Sequence, residues 1–358
     1  MEPDELEEAA RERLSPMAYD YYAGGAESET ALRANLEAWA RWQLHPHVLR
    51  DVTEVGTATT VLGTPVTSPV LIAPTAYHAL AHPDAEPATA RAARDHGTVM
   101  VVSTLATTSL EDVAAAAPTA PQWFQLYVFS DRGYAGELVD RAVAAGYRAL
   151  VLTVDAPVLG HRPRDERNAF RLPDGLAMAN LPAGLADQYA PASGSGLAAL
   201  FTDHDRSLTL DDLAWLKERS GLPLVVKGVH RADDAAACVE AGADAVVVSN
   251  HGGRQLDRAV APAEVLPEVV EAVDAADDRA EVYADGGVRR GVDVLTALAL
   301  GARAVLVGRP VLWGLAVDGE AGVAAVLGQL RTQLERAMTL SGVTDSAAVP
   351  ADLVRRAP

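Results

Sequence analysis

A histidine, an aspartate, a lysine and several arginines stand at the ends of apolar runs in this chain, where a buried strand would ordinarily give way to a neutral turn. In "VVVSNHGGRQLD", Val246 to Asp257, a valine run ends in His251, two glycines and Arg254. A histidine with a reference pKa of about 6.5 can serve as a base near neutral pH, and an arginine fork suits a carboxylate. Asp155 closes "ALVLTVD", Lys227 interrupts "LVVKGV" and Arg309 follows "AVLVGR". Lysine is scarce here, only Lys217 and Lys227 against 28 arginines, so one inside an apolar run invites a role.

The other strand ends carry Thr75, Ala76, Ser103, Gln125, Tyr127, Thr153, Ser249 and Asp285. Gln125 and Tyr127, Thr153 and Asp155, and Ser249 and His251 are two apart, which puts both members of each pair on one face of a strand. Singly, each has a plain structural reading: a strand-end Thr or Ser satisfies local backbone, an Asp caps a loop, a lone His packs in a core. Together a base, a carboxylate, a lysine and arginines on one rim describe a lined catalytic pocket. A phosphate site is expected at "DGGVRRG", Asp285–Gly291 with Gly287 and Arg289, and at "VGRP", with Gly308 and Arg309. Glycines there admit backbone N–H groups and a following helix offers its positive end.

The elements that must position these residues alternate from about residue 70. Eight runs ("PVLIAP", "VMVVST", "QWFQLYV", "ALVLTVD", "LVVKGV", "AVVVSN", "VYADGG" and "AVLVGR") are short and rich in strand formers, as parallel strands buried on both faces require. Helical patterns follow most of them, several ending at glycine. Eight such units predict an α/β fold, a (β/α)8 TIM barrel, whose active site lies at the C-terminal strand ends. An open doubly wound sheet is the alternative, but G-x-G-x-x-G after the first strand is missing. The chain is read as one domain, 1–358: an N-terminal helical cap over 1–69 with "TEVGTATTVLGTPV" as a hairpin closing the barrel floor, a barrel over 70–315, and C-terminal helices over 316–358. An insertion over 156–208 follows the fourth strand, and its "YAPASGSGLAA" is small, polar and flexible in composition, as in a lid or a disordered segment.

Composition narrows the function. A net charge of −19 disfavours nucleic acid and anionic membranes as partners. The long charge-free stretch, Val55–Pro83, is broken by prolines, glycines and threonines, so no membrane span is expected. The acidic, helical start lacks a signal-peptide core. Cys238 is the single cysteine, read as a small core residue, and a reducing cytoplasm fits. No metal site is expected.

The motifs "YDYYAGGAESE", "APTAYHALAHPDAE", "FQLY", "LTVDAPVLGHRPRDERNAF", "VVKGV", "SNHGGRQLD" and "ADGGVRRGVDVLTALALGARAVLVGRPVLWGLA" resemble those of the FMN-dependent (S)-2-hydroxy-acid oxidases and dehydrogenases, the glycolate, lactate and mandelate group. The resemblance spans nearly the whole chain, with "SNHGGRQLD" close to a family signature. It implies FMN as cofactor, His251 as the base and Asp155 as its partner. It also implies Arg254 and Arg162 on the substrate carboxylate, and Tyr21 and Tyr127 on the substrate side. Lys227 would stand at the flavin N1/O2 edge. Thr75, Ala76, Ser103, Gln125, Thr153 and Ser249 would hold the ring, and Asp285, Gly287, Arg289, Gly308 and Arg309 the ribityl phosphate. The family's chemistry runs either by proton abstraction from C2 or from the hydroxyl with hydride transfer.

Departures from the family pattern are few: Ala85 replaces a frequent glycine, Ala156 a threonine and His161 an arginine. Ala76 matches oxidases, implying oxygen as acceptor. Leu105 stands where glycolate oxidases have tryptophan, and with Tyr77 it implies a bulky or aromatic 2-hydroxy acid such as mandelate. Alternatives are a lactate or other aliphatic oxidase, a dehydrogenase passing electrons to a quinone, and, from other classes, a Schiff-base lyase using Lys227 or a non-catalytic flavin protein. The family's habit implies a tetramer or octamer.

Overall fold

The computed structural model describes residues 1–181, 201, 203–277 and 279–357. The eight apolar runs form strands β1 (Val70–Ile72), β2 (Met100–Ser103), β3 (Gln122–Leu126), β4 (Leu150–Thr153), β5 (Leu224–Val229), β6 (Ala245–Val248), β7 (Glu281–Ala284) and β8 (Ala304–Val307). All neighbours pair in parallel, and β8 returns to β1, closing the barrel. Successive side chains on a strand face opposite ways, so each run splits into two cores. Leu71, Val101, Trp123, Val151, Val225, Val247, Tyr283 and Leu306 fill the interior. Ile72, Val102, Phe124, Leu152, Val226, Val248 and Val305 pack outward with the helices. That double burial is why the runs read as continuous rather than alternating.

The outer layer is α1 (Ala85–Asp95), α2 (Leu110–Ala116), α3 (Arg132–Ala144), α4 (Asp211–Ser220), α5 (Ala232–Glu240), α6 (Pro262–Ala276), α7 (Gly291–Ala299) and α8 (Arg309–Ser341). Ser109 caps α2 by accepting from the Asp112 N–H, and Gly221 ends α4 in the left-handed conformation. Ala85, at the start of α1, has φ +46, a conformation that favours glycine, which accounts for the glycine of the family pattern.

The expected hairpin is present. Thr59–Val61 pairs antiparallel with Thr64–Val66. Val61 and Val66 enter the interior core from below, and the Leu62 N–H donates to the Glu281 carboxylate at the start of β7. The N-terminal helices Pro3–Arg13, Pro16–Ala23 and Thr30–Ala38 serve the opposite end. Asn35 and Asn250 exchange side-chain amide bonds of 2.7 Å each way, and Asp257 accepts from the N–H of Ser28 and of Ala31. One leader thus plugs the floor and roofs the top.

Two boundaries differ from expectation. Helix α8 starts at Arg309 inside the expected barrel span, and it breaks at Asp318 and Gly319. It is long and apolar enough to cross a membrane, yet most of its apolar window is buried against the barrel. Beyond Ser341 the chain makes short 3-10 turns and a strand, Val354–Arg356, instead of further helix, because that strand pairs with Trp42–Leu44. In the insertion, Pro163–Arg167 is helical and Asn180 accepts from the Leu110 N–H at α2. The "YAPASGSGLAA" stretch lies outside the described residues.

Candidate active site

The valine run of β6 ends because the backbone must turn back. His251, Gly252 and Gly253 all have positive φ, and a Cβ on Gly253 would come within 2.6 Å of the Leu32 nitrogen. The glycines are therefore required, and His251 accepts a left-handed conformation that its side chain disfavours. His251 Nδ1 donates to Asp155 Oδ1 at 2.8 Å. With Nδ1 committed as a donor, Nε2 carries the lone pair, and the ring lines the central cavity. Burial pushes the His251 pKa below the ordinary value and outweighs the pull of Asp155. Burial would raise Asp155, but His251 and Lys227 hold it below the usual carboxylate range.

Asp155 owes its place to a neighbour. Strand β5 bulges between Lys227 and Val229, and Gly228 sits there at φ +108. A Cβ on Gly228 would meet the Asp155 Cβ at 2.6 Å. The same bulge leaves Lys227 in register with Thr153 and Val247, where Nζ donates to Ser249 Oγ (2.8 Å) and pairs with Asp285 (3.0 Å). Burial works against the ammonium, yet Asp285 and Asp155 raise its pKa.

Two arginines converge from separate segments. Arg162 is buried, donating to the Arg254 carbonyl and to Gln255 Oε1, both at 3.2 Å. Burial and then Arg254 lower its pKa to about 10. Two guanidinium groups held this way create a demand for an anion. Arg254 Nη1 is spent on the carbonyls of Tyr21 (2.6 Å) and Gly24 (2.9 Å), and its plane lies 4.9 Å from the Tyr21 ring centroid. Among the described residues the rest of its fork meets only the Tyr21 hydroxyl, and it borders the cavity, where a ligand carboxylate could reach it.

The cavity encloses about 1020 Å³ including its mouth. Thr75, Ala76, Ser103, Leu105, Gln125, Tyr127, Thr153, Lys227 and His251 line it, as do Tyr21, Arg162, Arg254, Asp285, Gly287, Arg289, Gly308 and Arg309. Strand ends distant in sequence are thus gathered on one surface.

The sequence matches the FMN-dependent dehydrogenase family over residues 10–356. The chain belongs to that family. It is 54% identical to an L-lactate oxidase of Nostoc sp. over 94% of this chain and 93% of the relative. It is 46% identical to 2-hydroxyacid oxidase 1 of Mus musculus over 99% and 96%. Among solved structures, a mandelate oxidase with (S)-4-hydroxymandelic acid superposes with a TM-score of 0.93 at 42% identity, covering 99% of this chain and 98% of that one. The protein is an FMN-dependent 2-hydroxy-acid oxidase.

The cavity fits FMN. Gln125 Oε1 accepts from Ser103 Oγ (3.3 Å) and the Thr104 N–H (3.2 Å), which leaves its Nε2 buried with no partner among the described residues. Asp285 spends Oδ2 on Lys227, while its buried Oδ1 likewise has no partner among the described residues. Buried polar atoms left open on a cavity wall call for a polar ligand. Gly286, Gly287 and Gly308 supply the bare backbone a phosphate needs, with Arg289 and Arg309 alongside. Arg309 donates to the carbonyls of Tyr22, Gly252 and Gly24, so it braces the roof and keeps only two of its five N–H groups for the phosphate.

Two expected wall residues stand elsewhere. Ser249 is wholly buried behind Lys227, holding its ammonium and the His251 N–H, because it precedes the turn and points into the barrel. Tyr77 does not reach the cavity. Its φ of +62 turns the ring inward against Tyr21 and Phe170, and its hydroxyl meets the Met178 sulfur at 3.5 Å. Three residues went unread. Tyr22 lines the cavity and donates to the Tyr77 carbonyl at 2.6 Å, and its position beside Tyr21 was the available signal. Phe170 stacks on Tyr21 with centroids 4.2 Å apart. Phe201 lines the cavity beside Tyr127 and came from the insertion, where no periodicity marked it.

Proposed function

We propose that this oxidase acts on an (S)-2-hydroxy acid bearing an apolar side chain, with an aromatic acid of the mandelate type preferred to glycolate. His251 takes a proton from the acid, whose C2–O bond becomes a carbonyl. Asp155 carries the resulting imidazolium, and Arg162 and Arg254 hold the carboxylate in line. Bound FMN, which Gln125, Lys227 and the glycine loops with Arg289 and Arg309 would hold, would take up the two electrons and the second hydrogen of the acid, and oxygen would receive them as hydrogen peroxide. FMN supplies the electron acceptance that no side chain here could provide.

The apolar side of the cavity carries this reading. Leu105 and Phe201 face it beside Tyr127, and they offer hydrocarbon where a substrate side chain would lie. Burying a phenyl ring is favourable by roughly 25 cal/mol per Å² of apolar surface. Lactate is the second reading, favoured by the 54% identity to an L-lactate oxidase and by the Phe201 ring, which would occupy part of the space a phenyl needs. The test is kcat/KM for glycolate, lactate, 2-hydroxyoctanoate and (S)-mandelate on the unmodified enzyme and on Leu105→Trp. Mandelate is expected to lead, with tryptophan shifting preference to short acids. Lactate leading selects the second reading. A preference for glycolate, or an unmoved ranking in the variant, sinks the assignment of the pocket.

A further inference from the structure

Behind the flavin wall lies a buried polar chain that the catalytic groups do not use. Thr75, on the cavity surface, has its Oγ1 2.7 Å from His78 Nε2, and His78 Nδ1 is 3.0 Å from Thr89 Oγ1 on α1. The His78 N–H donates to Glu86 Oε1 at 3.1 Å. The same carboxylate accepts from the Thr107 N–H (2.8 Å) and from the hydroxyls of Thr107 and Thr108. His78, Glu86 and Thr89 are all at most 1% exposed.

We propose that His78 is a positioning residue for the flavin pocket, setting which way the Thr75 hydroxyl presents its proton to the cofactor, while Glu86 locks that loop to the one carrying Leu105.

Burial holds His78 below the ordinary histidine pKa, although Glu86 pulls the other way. A neutral imidazole has one N–H and one lone pair, so its two ends treat their hydroxyl partners oppositely. If Nε2 accepts, Thr75 gives its only proton to His78 and shows the cavity lone pairs. If Nε2 donates, the Thr75 proton is free to point at the ligand. Either tautomer imposes one polarity on the wall. An apolar residue at 78 would release the hydroxyl to rotate. Glu86 adds a second constraint, because Thr107 and Thr108 belong to the loop after β2. The Tyr77 N–H, donating to the Leu105 carbonyl at 3.2 Å, closes the same two loops further in. Ring side and substrate side of the pocket are therefore coupled through one carboxylate.

The test uses holoenzyme and apoenzyme of His78→Leu, Thr75→Val and the double variant. FMN Kd is read by fluorescence quenching, sulfite Kd by bleaching of the flavin band, and Tm is followed in parallel. In His78→Leu both binding constants are expected to weaken by about threefold to tenfold, the worth of one hydrogen bond. Adding His78→Leu to Thr75→Val should then change them no further, since the hydroxyl it orients is gone. His78→Gln, which keeps a neutral donor and acceptor, should restore most of the loss. Effects that multiply in the double variant, or a fallen Tm with both constants unmoved, reduce His78 to core packing and overturn the proposal. If His78→Leu does not fold, Thr75→Val is measured in the His78 and His78→Met backgrounds: a smaller effect beside methionine supports the coupling and equal effects refute it.

Discussion

His251 shows how a single side chain is tuned by opposing neighbours. Burial lowers its pKa and Asp155 raises it, with burial prevailing. The neutral, proton-accepting form therefore persists to lower pH than in a free histidine. The acid limb of kcat/KM against pH is expected to fall below about 6.5, with activity rising as pH increases through it. A limb above that value contradicts the burial. Replacing His251 by Gln should leave FMN and substrate binding intact while slowing flavin reduction by about 10²–10⁴-fold, measured by anaerobic stopped flow. Lys227→Met removes the partner of Asp285 and the cation of the flavin wall. Sulfite addition, which places negative charge on the flavin, should weaken, and unchanged affinity would separate Lys227 from that charge.

Elements place these side chains, and their irregularities matter more than their regular parts. The bulge at Gly228 is one missing side chain wide, and Asp155 fills the gap. Gly228→Ala combines a positive φ with a close contact and should destabilise by on the order of 2–5 kcal/mol. Any folded fraction should lose the His251–Asp155 alignment, which chemical denaturation together with reduction kinetics would reveal. The strand count, the floor hairpin and the strand-end pockets were legible in the sequence because buried parallel strands leave continuous apolar runs ending in polar residues. The bulge was not, since "VVKGV" gives glycine no marker of its backbone angle. Nor was the inward turn of Tyr77, which a positive φ at a non-glycine position decides. The C-terminal strand Val354–Arg356 escaped because its partner, Trp42–Leu44, lies some three hundred residues away in sequence and pairs only after folding.

At the scale of the whole molecule, the first seventy residues are held by groups from the other end of the chain. Asn35 meets Asn250, Asp257 meets Ser28 and Ala31, and Arg309 gathers the carbonyls of Tyr22 and Gly24. Asn35→Leu leaves both polar groups of the Asn250 amide short of a partner and loosens the turn holding His251. A loss of about 2–4 kcal/mol in urea unfolding is expected, with weaker FMN retention. A stability loss without looser FMN would show that the roof and the turn act separately. The helices that roof the site leave the ribosome before any barrel strand, whereas their partners arrive some 215 to 287 residues later, a delay of about 10–60 s at ordinary elongation rates. Strand β1 waits as long for β8. The nascent chain thus carries Tyr21 and Tyr22 through most of its synthesis with nothing to cover. Gly308 and Arg309 follow the last strand of the barrel and line the cavity, so charging with flavin is expected only after that strand has emerged, and a chain stalled before Arg309 is expected to be colourless.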